Sequence, residues 1–457
     1  MTAGDDPRAS PPCRLVTLAT GSSRITETRW RDRGLIQRKA SRVRRVANRG
    51  IMVVFSLETH IMSEAREVVI LSGVRTAIGD YGGGLKDVAP TELAARVVRE
   101  AVSRAKVDPK EIGQCVFGNV IHTEPKDMYL SRVAALNGGL PAESGALTLN
   151  RLCGSGMQAI VSASQYIMLG DIDAAVAGGA ESMSRGAYAV PSERWGARMG
   201  DAKMMDMMVG ALTDPFDTVH MGITAENVAT KCGISRTDQD AFAVESHKRA
   251  ANAIAKGYFK DQVLGIELKT RKGPVMFDTD EHVRGDATLE GMAKLKAAFV
   301  KENGTVTPGN ASGINDAASA VVLMERSAAA KRDLKPMARL VSYGHAGIDP
   351  KIMGLGPVSA VKRALAKAGL KLEQIDVIES NEAFAAQALG VSRELGMNPA
   401  KVNPNGGSVA LGHPIGATGC LLTVKAMYEL HRTGGRYGLI TMCIGGGQGI
   451  AAIIERM

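Results

Sequence analysis

The sequence predicts an α/β fold made by duplication: two copies of one βαβα unit, with a long insertion between the matching halves. Three observations carry this prediction. Short β-rich runs alternate with amphipathic helical patterns from Met62 to the C-terminus. Segments 263 residues apart match without a gap over about 80 residues, a constant offset that chance likeness between apolar helices does not produce. The stretch from Ser182 to Ser312 has no counterpart in the other copy.

In chain order, Val68–Leu71 reads as a strand and Thr91–Lys106 as a helix, with Leu93, Val97, Ala101 and Ala105 on one face. Val116-Phe117, Ala146–Leu149 and Asp173–Gly179 read as strands, and Met157–Leu169 as a long apolar helix. Such alternation implies parallel sheets covered by helices. The second copy repeats it. Ala101–Ala105 falls on Ala364–Ala368, Ile112 on Ile375, Ser155 on Thr418, Gly156 on Gly419, and Ala174–Gly179 on Tyr437–Met442. Asp316–Met324 returns the chain to the first copy after the insertion. Gly438–Ile454 is apolar, but Gly445-Gly446-Gly447 splits it into two buried strands. The expected division is therefore residues 62–182 plus 313–335 for the N-terminal half, 183–312 for an inserted loop domain, and 336–457 for the C-terminal half. Within the insertion, Met199, Met204, Met205, Met207, Met208 and Met221 suggest adaptable apolar packing, and Asp238–Tyr258 suggests a solvated amphipathic helix.

The length of 457 residues and a hydrophobic content of 45% suit a globular chain of two or three domains. The net charge of +9 is concentrated at the N-terminus. Residues 1–61 hold 12 Lys+Arg and 5 Asp+Glu (net +7), which leaves 44 and 42 for the other 396 residues (net +2). The body thus has no basic excess of the kind that binds nucleic acid. An Arg-rich transit peptide, a basic tail, and sequence upstream of a start at Met52 or Met62 are three readings of residues 1–61. The abrupt onset of patterning at Glu67 favours the third, with the extension disordered or outside the native protein. No apolar run reaches the ~18–20 residues of a membrane helix. Six cysteines are scattered without a CxxC pair, which argues against zinc and disulfide frameworks and for a reducing, cytoplasmic setting.

Four stretches carry chemistry. Asn150-Arg151-Leu152-Cys153-Gly154-Ser155-Gly156 joins a strand to a helix, so Cys153 sits where free backbone N–H groups favour an anion and lower a thiol pKa. Cys153 is then either an activated nucleophile or a buried structural cysteine. In Gly412–Gly419, His413 occupies a glycine-rich turn at a helix start, as a general base or an exposed loop residue. In Cys443–Gly449, Cys443 is followed by three glycines whose N–H groups can face an oxyanion. Asn381, in Asn381–Ala385, follows a strand and could cap the next helix or hold a water. At the 263-residue offset, Asn150, Gly118 and Ala180 become His413, Asn381 and Cys443, while Cys153 becomes Gly416. One corner would hold the nucleophile and the other its acid, base and water-holder.

Together these motifs closely resemble those of the thiolase family, and the likeness runs from about Arg66 to Arg456. Thr123–Leu130 is most similar to the broad-specificity β-ketothiolases of polyhydroxyalkanoate-accumulating bacteria. The resemblance implies a layered αβαβα core and an acyltransferase that needs no cofactor or metal. It would act as an acetyl-CoA C-acetyltransferase or C-acyltransferase, by Claisen condensation of two acyl-CoA molecules or thiolysis in reverse. It assigns Cys153 as the acyl carrier, His413 as its activator, Cys443 as the acid/base and Asn381 as the holder of a water at the enolate oxygen. The N–H groups of Cys153 and Gly445 would form an oxyanion hole. His220, Met221 and Ser312 would line the pantetheine channel, and Arg284 would lie near the nucleotide. Phe299, Met353 and Phe384 would border the thioester. Acyl-CoA and CoA are the implied partners, within a homotetramer built as a dimer of dimers that places Thr123–Arg132 near a subunit contact. Asp278, Asp280, Glu281 and His282 read as a solvated turn and not a metal site. A ketoacyl synthase would lack the Cys443–Gly447 motif. A non-catalytic lipid-binding relative would be expected to lose Cys153, His413 or Cys443.

Overall fold

The computed structural model describes residues 66–457. The extension 1–61 lies outside them. In the first copy the main elements are β1 (Val68–Thr76), α1 (Pro90–Ala105), β2 (Gln114–Gly118), α2 (Leu130–Asn137), β3 (Gly145–Leu149), α3 (Ser155–Leu169) and β4 (Ala174–Ser182). The insertion contributes α4 (Met221–Cys232) and α5 (Arg236–Ala255), and β5 (Asn315–Glu325) follows it. The second copy runs β6 (Ala338–Gly347), α6 (Gly356–Ala368), β7 (Val377–Ser380), α7 (Ala385–Leu395), α8 (Ile415–Thr433), β8 (Tyr437–Ile444) and β9 (Gln448–Arg456).

The strands lie in the order β3-β2-β4-β5-β1-β6-β9-β8-β7. The halves meet at β1 and β6 through two residue pairs, Val69 with Arg339 and Ile70 with Ala338. The sheets are mixed and not all parallel. β2 runs parallel to β3 and β4, and β7 parallel to β8, but β5 and β9 return antiparallel. The cause is local: Ile444 pairs with Gln448 across a hairpin in which Gly446 and Gly447 take φ of 78° and 84°. The first copy makes the same return after a detour through the insertion. Nothing in the second copy forms a full partner to β3; only Ile378 bridges Val402 there.

The duplication governs the packing. α3 and α8 share one core between the sheet halves, with Met157, Ile160 and Ile167 against Leu421, Leu422 and Met427. α1 covers one outer face through Leu93 and Val97, and α6 covers the other through Val361 and Ala364. The layers are therefore helix, sheet, helix, sheet, helix. Gly156 and Gly419, equivalent at the 263-residue offset, mark the crossing of the central helices. A Cβ on Gly156 would lie 2.7 Å from the Cys420 N, and one on Gly419 would lie 2.2 Å from the Met157 N. Glycine costs a helix about 1 kcal/mol relative to alanine, and this close approach explains its presence at both positions. A second repeated detail is polar: Ser72 Oγ donates to Ala101 O at 2.6 Å, and Ser342 Oγ donates to Ala364 O at 2.8 Å.

Two expectations for the insertion are corrected. α5 is not a solvated helix; Gln239, Asp240, Ser246 and His247 are buried along it. Its polar face reads as solvated in sequence but has protein partners. Asp240 accepts from Asn310 Nδ2 at 2.9 Å, and Ser246 Oγ donates to Glu382 at 2.7 Å. The methionines do not form one packed cluster. Met199, Met204, Met205 and Met207 are exposed, whereas Met221 is buried and Met208 packs against the cluster of Ile121, Met183 and Ile415.

Candidate active site

Cys153 lies in a single 3₁₀ turn, Leu152–Gly154, between β3 and α3. Leu152 has a φ of 47°, unusual for a branched residue, and such a conformation costs on the order of 1–3 kcal/mol. Its neighbours in the motif hold it there. Leu152 N–H donates to Asn150 Oδ1 at 2.9 Å, Arg151 N–H donates to Ser155 Oγ at 2.8 Å, and Ser155 Oγ donates to Leu152 O at 2.7 Å. Asn150 and Ser155 thus fix the turn that aims Cys153.

His413 comes from the opposite copy and is buried. The preceding Gly412 has a φ of 109° and stands so close to Asn315 that a Cβ would fall 2.5 Å from its Cγ. Asn315 Oδ1 in turn accepts the His413 N–H at 2.9 Å. The ring's protonation follows from its partners. Thr418 Oγ1 lies 2.7 Å from His413 Nδ1 and donates its one proton to Pro414 O at 2.8 Å. Thr418 must therefore accept from Nδ1–H, which leaves Nε2 unprotonated, with its lone pair as an acceptor. Nε2 faces Asn381 Nδ2 at 3.4 Å, and Asn381 Oδ1 accepts from Ser408 Oγ at 2.6 Å. Asn381 does not cap α7; the helix starts four residues later, with Phe384 at the cap position.

Burial lowers the His413 pKa to about 4. In the unfolded chain a histidine titrates near ~6.5, so between these values the unfolded chain binds more protons. The His413 contribution to stability is complete above about pH 6.5 and is lost as pH falls toward 4, at about 1.4 kcal/mol per pH unit. A His413→Asn variant is expected to flatten that part of the stability curve, as read by urea unfolding across the acid limb. An unchanged slope would mean that the folded ring titrates normally.

The thiols correct the expected direction. Cys153 is pushed up to about 11, not down: burial outweighs the Gly445 N–H and its own N–H, which favour the thiolate, and the nearby Glu181 adds to the rise. Cys443, fully buried at the end of β8, is raised well above the ordinary thiol value by burial and by Cys153. A helix N-terminus favours an anion, but the loss of water costs more.

A cavity of about 250 Å³ opens over these groups. Cys153, His413 and Gly445 line it, together with His220, Met221, Phe299, Ser312, Met353 and Phe384. His220 caps α4 by accepting the Gly222 N–H at 3.0 Å, and it stacks on Phe299 with centroids 4.5 Å apart. Asn381 is fully buried and does not line the cavity; Cys443 packs behind it against Met221, Met353 and Phe384. Arg284 is not in this cavity. It lies in an adjoining depression of about 540 Å³ that shares Pro308 with it, and its side chain is exposed beside Asp80. The expected solvated turn is in fact anchored: buried Asp280 pairs with Arg75 at 2.7 Å, and Glu281 accepts the Asp80 and Gly84 N–H groups. Sequence reasoning missed Asn315 and Glu181. The signal for Glu181 was a lone acid inside the apolar run of β4.

Comparison with known proteins gives one answer. The thiolase N-terminal domain model matches residues 68–327, and the thiolase C-terminal domain model matches residues 334–456. A β-ketothiolase of Cupriavidus necator is 67% identical over 392 residues, covering 86% of this chain and 100% of that protein. An acetyl-CoA acetyltransferase of Chromobacterium violaceum is 49% identical, over 85% of this chain and 100% of that protein. The solved human mitochondrial 3-ketoacyl-CoA thiolase in complex with CoA aligns with a TM-score of 0.83 at 44% identity, covering 86% of this chain and 98% of that one.

Proposed function

Taking as premise that this chain belongs to the thiolase family and is a β-ketothiolase, an acyltransferase acting on CoA thioesters, we propose that its two active-site sulfurs divide the reaction between them. Cys153 carries the acyl group, and Cys443 moves the protons at the incoming substrate. The observation that carries this reading is the single cavity that joins Cys153, His413 and Gly445 from opposite copies, with Cys443 close enough for Cys153 to disfavour its charge.

In the condensing direction, the Cys153 thiol passes its proton to the unprotonated His413 Nε2. The sulfur attacks the thioester carbon of the first acyl-CoA, and the C–S bond to CoA breaks. The departing CoA sulfur takes the proton of Cys443. The Cys443 thiolate then removes an α-proton from the second acyl-CoA, and the enolate attacks the acyl carbonyl on Cys153. Collapse expels the Cys153 sulfur, which recovers its proton from His413. Every proton is returned and no redox change occurs, so the reaction calls for no cofactor. The raised thiol pKa values support a resting enzyme with both sulfurs protonated, each ionising only as substrate supplies the compensating donor or acceptor.

Oxyanion stabilisation has two candidate places. The Gly445 and Cys153 N–H groups, which already act on the Cys153 sulfur, are positioned for the acyl oxygen. Protonated His413, with a water on Asn381, would serve the enolate oxygen. The channel bordered by His220, Met221, Phe299 and Ser312 suits pantetheine, with Met353 and Phe384 at the thioester. The depression holding Arg284 suits the nucleotide phosphates. The domain division 62–182 plus 313–335, 183–312 and 336–457 is proposed on the same footing. So is a tetramer built from dimers, which the exposed Met128 and Tyr129 support. Among the described residues no helix is long and apolar enough to cross a membrane. A cytoplasmic setting is proposed from the scattered cysteines, whose spacing suits a reducing compartment. The test is cleavage of acetoacetyl-CoA by free CoA, followed as loss of the substrate's absorbance. Turnover is expected; no turnover on any short- or medium-chain 3-ketoacyl-CoA would overturn the reading.

A further inference from the structure

Glu181 is a fully buried carboxyl group that the reaction as described does not use. Burying a carboxyl is costly unless donors surround it. Here four do. Oε1 accepts from Ile121 N at 3.0 Å and Asn119 Nδ2 at 3.2 Å, and Oε2 accepts from Gly416 N at 2.8 Å and Val120 N at 3.1 Å. Three of these donors belong to the loop after β2 in the first copy. The fourth belongs to the first turn of α8 in the second copy, just past His413-Pro414-Ile415. The carboxyl therefore ties together two loops from opposite halves, and Ile121 and Ile415 from those loops pack beside Cys153.

Two further observations separate Glu181 from scaffold. At the 263-residue offset its counterpart is Ile444, so the second copy builds the same strand end without a charge. The duplicated fold does not require an acid there. Burial raises the Glu181 pKa to about 8 against the Ile121, Gly416 and Val120 N–H groups. The carboxyl is therefore ionised over the range in which Cys153, raised to about 11, gives up its proton, and its charge is among the causes of that rise. The other titratable groups around Cys153 are Cys443 from β8 and His413 from the turn before α8; Asp127 adds its charge to Glu181 from the other side.

Resting on the acyl-cysteine reading above, we propose that Glu181 is a positioning residue: it pins the His413 turn to the nucleophile's half and, once ionised, sets a negative charge near Cys153. It touches neither substrate nor reacting atoms. The pin keeps His413 Nε2 in register with the Cys153 sulfur. Where Glu181 is ionised, its charge opposes a free thiolate but not a neutral thioester, and so favours the protonated thiol and the acylated state.

The experiment uses the full chain and two substitutions. Glu181→Gln keeps the size, removes the charge, and turns an amide N–H₂ toward backbone N–H groups. It is expected to lower kcat for acetoacetyl-CoA thiolysis by about 10²-fold, the usual scale for a misplaced catalytic group, with KM changed less than about threefold. Removing a neighbouring negative charge favours the thiolate. The midpoint of the pH profile for iodoacetamide inactivation, which reports Cys153, should therefore move down by about one unit. Glu181→Asp keeps the charge and withdraws it from the Gly416 N–H. Its midpoint should match wild type while kcat stays depressed. A purely structural role would lower stability and leave the Glu181→Gln midpoint where it is, and that result overturns the proposal. Should Glu181→Gln not fold, a Glu181→Asp enzyme with wild-type kcat overturns it equally. Wild-type enzyme that acetyl-CoA does not acylate at Cys153 would instead sink the parent reading, so the two failures are distinguishable.

Discussion

A Cys443→Ala enzyme is expected to accept an acetyl group from acetyl-CoA and then stall. Cys443 is fully buried, so the substitution leaves an apolar wall where the thiol stood, against Met221, Met353 and Phe384. The acylation half-reaction keeps its nucleophile, its His413 base and the Gly445 N–H; the departing CoA sulfur loses the Cys443 proton and takes instead the one that His413 received from Cys153. What condensation loses is the group that removes the α-proton of the second acyl-CoA. Positioned acid–base groups are worth about 10²–10⁴-fold, and condensation and thiolysis should both fall by that order. Steady-state assays in both directions measure the loss, and rates within a few-fold of wild type would remove Cys443 from the mechanism.

The larger loss is expected from Cys153→Ala. No other sulfur reaches the acyl carbon from the same place, because the equivalent position in the second copy is Gly416. Cys443 cannot substitute from behind the cavity, where its pKa is raised well above the ordinary value. Removing the nucleophile of a covalent mechanism costs on the order of 10⁶-fold in kcat. The variant should take up no acetyl group from acetyl-CoA and show no thiolysis above background. It should also remain folded. Cys153 borders the cavity, so truncating it opens no new void in the core, and its turn is held by Asn150 and Ser155. An unaltered unfolding midpoint would therefore separate loss of chemistry from loss of structure.

The duplication was legible in sequence because its two most constrained features are local. Gly156 and Gly419 must be glycine where the central helices cross, and the helix and strand runs around them keep one offset. Strand direction was not legible. Apolar alternation marks Gly438–Ile454 as two strands, but only the hairpin at Gly446-Gly447 makes the second antiparallel. The motif residues were visible one by one, since His413, Cys443 and Asn381 stand where the first copy has Asn150, Ala180 and Gly118. Their protonation was not visible. A sequence displays the helix start after Cys153 but not the water excluded around it, and exclusion decides the direction of both thiol shifts. The buried polar face of α5 and the role of Glu181 escaped for a related reason. Their partners, Glu382 for Ser246 and Gly416 for Glu181, lie far along the chain.

The division of work between the two sulfurs is tested most directly by peptide mass mapping of Cys443→Ala after brief exposure to acetyl-CoA. The acetyl increment is expected on the peptide containing Cys153 and nowhere else, and it should persist because the second half-reaction is blocked. A Cys443→Ala enzyme with no acetyl on Cys153, or one that forms acetoacetyl-CoA at the wild-type rate, would contradict the account.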